Sequence, residues 1–169
     1  MSMTAAEDQA TGAYFLEPGE AELRCSGATR TFFLATGDTT GGAFALIDET
    51  ARQGETVPLH RHSVDHEALY VIEGELSVCL DKLPCHRAGP GAFAHFAQGV
   101  VHGFRVESET ARYLLITTPH HGEFYRAISR TPRGEGKGPG QPLDDDTIMA
   151  ACRTYGVEFI GPFPMADLV

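Results

Sequence analysis

From about residue 13 to residue 118 the chain is a succession of short apolar runs, each cut off by Gly, Pro or Asp turn signals. The runs cover 31–35, 43–49, 55–62, 67–73, 75–80, 83–87, 92–96, 101–107 and 111–117. Short runs recurring at intervals of about 8–12 residues describe an all-β sandwich or barrel. The 19 glycines suit the many tight corners of such a fold. After Pro119 the pattern changes. Residues 121–130 (HGEFYRAISR) place Phe124, Ala127 and Ile128 at helical spacing, which predicts a short amphipathic helix. Residues 131–142 are rich in Gly and Pro and read as a loop. Asp144, Asp145 and Asp146 then open a second short helix, which Gly156 can stop, and the tail from Val157 to Val169 reads as extended. At 169 residues this is one domain: a tail at 1–12, a barrel at 13–119 and a C-terminal decoration at 120–169.

The charge balance is acidic, with 23 Asp plus Glu against 13 Lys plus Arg and a net charge of -10. A nucleic-acid or anionic-lipid partner needs a cationic face, so neither is expected. No apolar run approaches the ~18–20 residues of a spanning helix, so no membrane partner is expected. The polar start, Met1 to Thr11, does not read as a secretory signal, and a cytoplasmic protein is expected. A two-residue turn at Asp81-Lys82 would place Cys79 and Cys85 on opposite faces. All four cysteines, with Cys25 and Cys152, therefore read as reduced thiols.

The chemistry is concentrated in the run GETVPLHRHSVDHEALYVIEGE, residues 54–75. His60 and His62 stand two apart on a predicted strand, which puts both imidazoles on one face. A polar turn, 63–66, brings Glu67 at the head of the next strand back beside them. His102 begins a further predicted strand. Three neutral imidazoles and a carboxylate form a set of donors for one divalent transition metal ion per chain: Fe, Mn, Co, Ni, Cu or Zn, rather than Ca or Mg.

Gly54, His60, His62, Glu67 and Gly74 fill every fixed position of the first cupin motif, and Gly91, Gly99 and His102 fill positions of the second. Ala97 stands where the second motif usually has Pro, and Val106 where it has Asn. The chain thus resembles the cupin superfamily over residues 40–118. Within it, the sequence looks most like single-domain members of the quercetin 2,3-dioxygenase-like group. That resemblance implies an all-β double-stranded β-helix, or jelly roll, with short C-terminal helices. It implies His60, His62, Glu67 and His102 as metal ligands, and Gly54, Gly74, Gly91 and Gly99 as turn residues. It also implies a homodimer.

Alternation from these ligands predicts an apolar pocket of Leu69, Val71 and Phe104, joined by Phe93 or Phe96. Such a pocket suits a flat organic molecule. The activity implied by the resemblance is ring-opening dioxygenation of a flavonol-like or other enolizable aromatic substrate with dioxygen, with loss of carbon monoxide. Glu67 would serve as ligand, general base or both. The alternatives are a non-oxidative metal-dependent isomerase, lyase or decarboxylase, and a non-enzymatic binding module. His66 reads as a surface or interface residue and His95 as a core or interface residue. His120 and His121 read as part of a solvated turn, and Phe124 and Tyr125 as packing residues.

Overall fold

The computed structural model describes residues 12–81, 83–132 and 143–164. Residues 1–11 of the expected tail at 1–12, most of the Gly- and Pro-rich loop and the last five residues lie outside them. Ten strands precede two helices: β1 (Glu22–Ser26), β2 (Thr29–Ala35), β3 (Ala45–Arg52), β4 (Thr56–His62), β5 (Glu67–Glu73), β6 (Leu76–Leu80), β7 (His86–Ala88), β8 (Phe93–Phe96), β9 (His102–Val106) and β10 (Thr110–Thr117). Then come α1 (Pro119–Ala127), α2 (Asp145–Tyr155) and a last strand, β11 (Val157–Gly161). The strands form two antiparallel sheets. One runs in the order β1-β2-β3-β10-β5-β8 and the other β11-β4-β9-β6-β7. This is the all-β jelly roll expected, with one addition. The extended C-terminal segment enters the barrel as β11 and pairs with β4, opposing Val157 to His62 and Phe159 to His60.

Alternation along β5 gives the packing directly. Glu67, Leu69 and Val71 are buried, while Tyr70 between them is exposed. The inward residues of both sheets meet in one core that includes Phe33, Ile47, Leu69, Val71, Leu76, Val78, Phe96, Phe104, Val106 and Leu115. Each such side chain is worth roughly 1.5–3 kcal/mol when fully buried. β1 escaped the sequence pattern because Cys25 is its one fully buried residue, so its ELRCS run carries no apolar alternation.

Both helices are capped by their own sequence. Thr118 stands in extended backbone before Pro119, and its hydroxyl accepts from the His121 N–H. Helix α1 therefore starts two residues earlier than its apolar spacing suggests. Asp144 caps α2, and Gly156 ends it in the left-handed conformation at φ 66°. Among the described residues no helix is long and apolar enough to cross a membrane.

One expectation is overturned. Cys79 and Cys85 form a disulfide with Cα atoms 4.1 Å apart, while Cys25 and Cys152 are free and buried. The β6–β7 register pairs Leu76 with Ala88 and Val78 with His86. Carried one step further, it places Cys79 opposite Cys85, so they share a face. The connection is longer than the two-residue turn expected, with Asp81 at φ 46°, and β7 begins only at His86.

Candidate metal centre and its cavity

The two histidines of β4, Glu67 at the head of β5 and His102 at the head of β9 converge. One ligand atom from each lies within 4.8 Å of all the others, and all four residues are buried. Nδ1 of His60 lies 2.8 Å from the Pro58 carbonyl and Nδ1 of His102 lies 2.9 Å from the Val100 carbonyl. A carbonyl only accepts, so each Nδ1 carries the ring proton and each Nε2 presents a lone pair to the cluster. Nε2 of His60 sits 3.0 Å from Nε2 of His62, and Nε2 of His102 sits 3.4 Å from Oε2 of Glu67. Lone pairs gathered at such distances call for a shared cation. Burial drives His60 down to about 4, helped by His102, and His62 down to about 2, so both rings are neutral donors at physiological pH. Burial alone would raise Glu67, but the His121 imidazole beside Oε1 pulls it well below the usual carboxylate range. The donor set fits a divalent transition metal ion held by three nitrogens and one oxygen.

Helix α1 adds two residues that the sequence reading left out of the site. His121 is buried, with its ring 4.0 Å from that of His62 and its Nε2 3.6 Å from Oε1 of Glu67. One helical turn on, the Tyr125 hydroxyl donates to the same Oε1 at 2.6 Å. Residues four apart share a helix face, so the His121–Tyr125 spacing was the available signal. It was hidden by reading the Phe124–Ile128 face alone. His120, by contrast, stays half-exposed and pairs with buried Asp65 at 3.0 Å.

Beside the cluster opens a cavity of about 290 Å³. His60, Phe104 and Tyr113 line its barrel side, and Phe124, Tyr125 and Met149 its helical side. Of the residues expected to wall it, Phe104 does so. Phe96 is fully buried, its ring stacked 4.0 Å from that of His102. Leu69 and Val71 belong to the packed core. Phe93 turns outward and is 63% exposed. The reason is register: Phe93 opposes Tyr70 and Phe96 opposes Glu67, and directly opposed residues share a face. The walls thus come from the helices and from β4, β2 and β11, with single residues of β3, β9 and β10 and none of β5. On the outer face His66 and His95 are both exposed and stack on each other at 5.7 Å.

These features define a jelly-roll barrel with a buried cluster of three histidines and a glutamate. Residues 48–117 match the family model described as a cupin domain. It is 30% identical over 104 residues to quercetin 2,3-dioxygenase of Bacillus subtilis (strain 168). That match takes in 62% of this chain and 31% of the relative, so the chain spans about a third of the length of the curated protein it resembles. Two solved structures share the fold. An RmlC-like cupin from Shewanella frigidimarina NCIMB 400 superposes with TM-score 0.57 at 18% identity, covering 66% of this chain and 96% of that one. The polyketide cyclase RemF from Streptomyces resistomycificus superposes with TM-score 0.55 at 22% identity, covering 80% and 90%.

Proposed function

We propose that this protein is a metal-dependent cupin dioxygenase of a flavonol-like or other enolizable aromatic molecule. The observation that carries the reading is the cavity against His60, walled by Phe104, Tyr113, Phe124 and Tyr125 and lined by no Lys or Arg among the described residues. Aromatic walls with few polar groups favour a flat organic ligand over a sugar phosphate. The resemblance to a quercetin dioxygenase points the same way.

His60, His62, His102 and Glu67 would hold the ion, which when bound supplies Lewis acidity toward a substrate oxygen. The residues of this chain do the remainder. Glu67, oriented by Tyr125, would accept the proton of a substrate hydroxyl brought to the ion. Phe104 and Phe124 offer faces on which an aromatic ring can stack. Helices α1 and α2 contribute Ile128, Ile148 and Met149 to the wall and keep water away from the reacting atoms.

The test is oxygen uptake by protein loaded separately with Fe(II), Mn, Co, Ni, Cu and Zn, with quercetin and related enols. Metal-dependent uptake with loss of the flavonol absorption band is the expected result. Turnover of the same enols without oxygen consumption would replace this reading with a non-oxidative isomerase, lyase or decarboxylase.

A further inference from the structure

One buried carboxyl on the cavity wall takes no part in the ligand cluster. Glu49 points inward from β3, is 6% exposed, and lines the same cavity as His60 and Tyr125. Two hydroxyls hold it. Thr31 on β2 donates to Oε1 at 2.7 Å, and Tyr113 on β10 donates to Oε2 at 3.0 Å. Both of its oxygens therefore accept from the barrel wall, and their remaining lone pairs, or a proton placed on either one, are free to meet a molecule in the cavity.

The charged and titratable groups around Glu49 are all acidic or neutral. Asp48, its neighbour on β3, belongs to the opposite face and is paired with Arg112 at 2.6 Å. Glu67 on β5 bears on it electrostatically. Glu55, His60, Tyr113 and Tyr125 share the cavity wall. No cation among the described lining residues neutralises the carboxylate. Burial therefore raises Glu49 to about 7, with Glu67 and Asp48 adding to the rise against the hydrogen bonds from Thr31 and Tyr113. A structural carboxylate would be expected beside an Arg or Lys. Glu49 instead resembles a general acid–base group, exposed to the ligand space and with both protonation states open near neutral pH.

We propose that Glu49 is a second proton-transfer residue of this site, binding a hydroxyl of the substrate and exchanging a proton with it. This rests on the reading of the cavity as the substrate site, and narrows the substrate to aromatic enols with at least two oxygen functions, one for the ligand cluster and one for Glu49. In the step itself the substrate O–H bond breaks and its proton forms an O–H bond on a Glu49 oxygen. The electron pair stays on the substrate oxygen, and the reverse transfer reprotonates the product.

The experiment is an anaerobic binding titration of the Zn-loaded protein with quercetin, catechol and acetylacetone, from about pH 5 to pH 9. Wild-type, Glu49→Gln and Glu49→Asp proteins are compared, with metal content measured alongside. A hydrogen bond to the charged carboxylate is worth about tenfold in affinity. The ratio of dissociation constants, Glu49→Gln over wild type, should rise from about 1 in acid to about 10 in alkali as Glu49 ionises. Metal content should stay unchanged, and Glu49→Asp should restore part of the pH dependence. Binding with the same pH profile in all three proteins would overturn the role of Glu49 and leave the cavity reading standing. Failure of every probe to bind any of them would overturn the cavity reading, and this proposal with it.

Discussion

The Tyr125 hydroxyl and Oε1 of Glu67 stand 2.6 Å apart, a bond that spans 58 positions of sequence and ties helix α1 to strand β5. The other carboxylate oxygen, Oε2, is the one that faces His102 at 3.4 Å and His62 at 4.0 Å. Tyr125 thus selects which oxygen is offered to a metal ion. Removing hydrogen-bond partners of metal ligands costs roughly 10–100-fold in affinity or activity. Tyr125→Phe is expected to lower metal affinity by about tenfold or more, measured by competition with a chelator. Unchanged affinity would make the bond incidental to the site.

The assignment of ligands is tested by metal analysis of purified variants. His62→Ala and His102→Ala should each lose most of the bound metal. His66→Ala and His95→Ala should keep it, because that pair stacks on the outer face. Wild-type metal content in either of the first two proteins would refute the assignment.

Glu49 also carries a signature in stability. Its folded value of about 7 lies above the ordinary 4.5, so between these two pH values the folded protein binds more protons than the unfolded chain. Its contribution is fully present below the lower value and is lost as pH rises through the upper one. His60 and His62 titrate in the opposite sense over part of the same window, gaining stability as pH rises. The comparison with Glu49→Gln isolates the carboxyl. From acid to alkali, the variant should gain about 3 kcal/mol on the wild type, measured by urea unfolding at each pH. A constant difference between the two proteins would contradict this.

Thiol counting checks the disulfide. Oxidised protein unfolded in denaturant should show Cys25 and Cys152 as its free thiols, and reduction should expose Cys79 and Cys85 as well. The closed loop is short, and chain-entropy arguments give it about 2 kcal/mol. A melting temperature lower by a few degrees in the Cys79→Ser, Cys85→Ser protein should follow.

Two motif glycines should respond differently to alanine. Gly54 has φ 87° and open space around an added Cβ, so the left-handed backbone alone opposes the change, at about 1–2 kcal/mol. At Gly74, φ is 80° and a Cβ would also collide with the Thr110 carbonyl oxygen, part of a neighbouring backbone that cannot step aside. Gly74→Ala should cost well over twice as much, read as the difference in urea midpoints. Equal losses would show that the corner beside Thr110 yields.

What the sequence revealed, and what it concealed, follows from where the information sits. Apart from β1, the barrel strands were legible because apolar alternation is local, and the His60–His62–Glu67 grouping because a polar turn joins its two strands. Helix α2 was legible at both ends, since Asp144 and Gly156 act through their own backbone neighbours. Phe93 and Phe96 were ambiguous because one strand does not reveal which partner its residues oppose; Tyr70 and Glu67 settle that. Cys79 and Cys85 were misread by a turn length. His121, Tyr125 and Glu49 were missed as site residues for another reason. Their roles come from elements distant in the chain closing over one volume.

The provenance of the four ligand side chains has a mechanical consequence. His60, His62 and His102 rise from β4 and β9, neighbours in the five-stranded sheet, whereas Glu67 alone rises from β5 in the six-stranded one. An ion held by all four would rivet one layer of the barrel to the other. Parting the layers and releasing the ion would then be a single event, so metal supply would set how long the barrel stays closed as well as what it does.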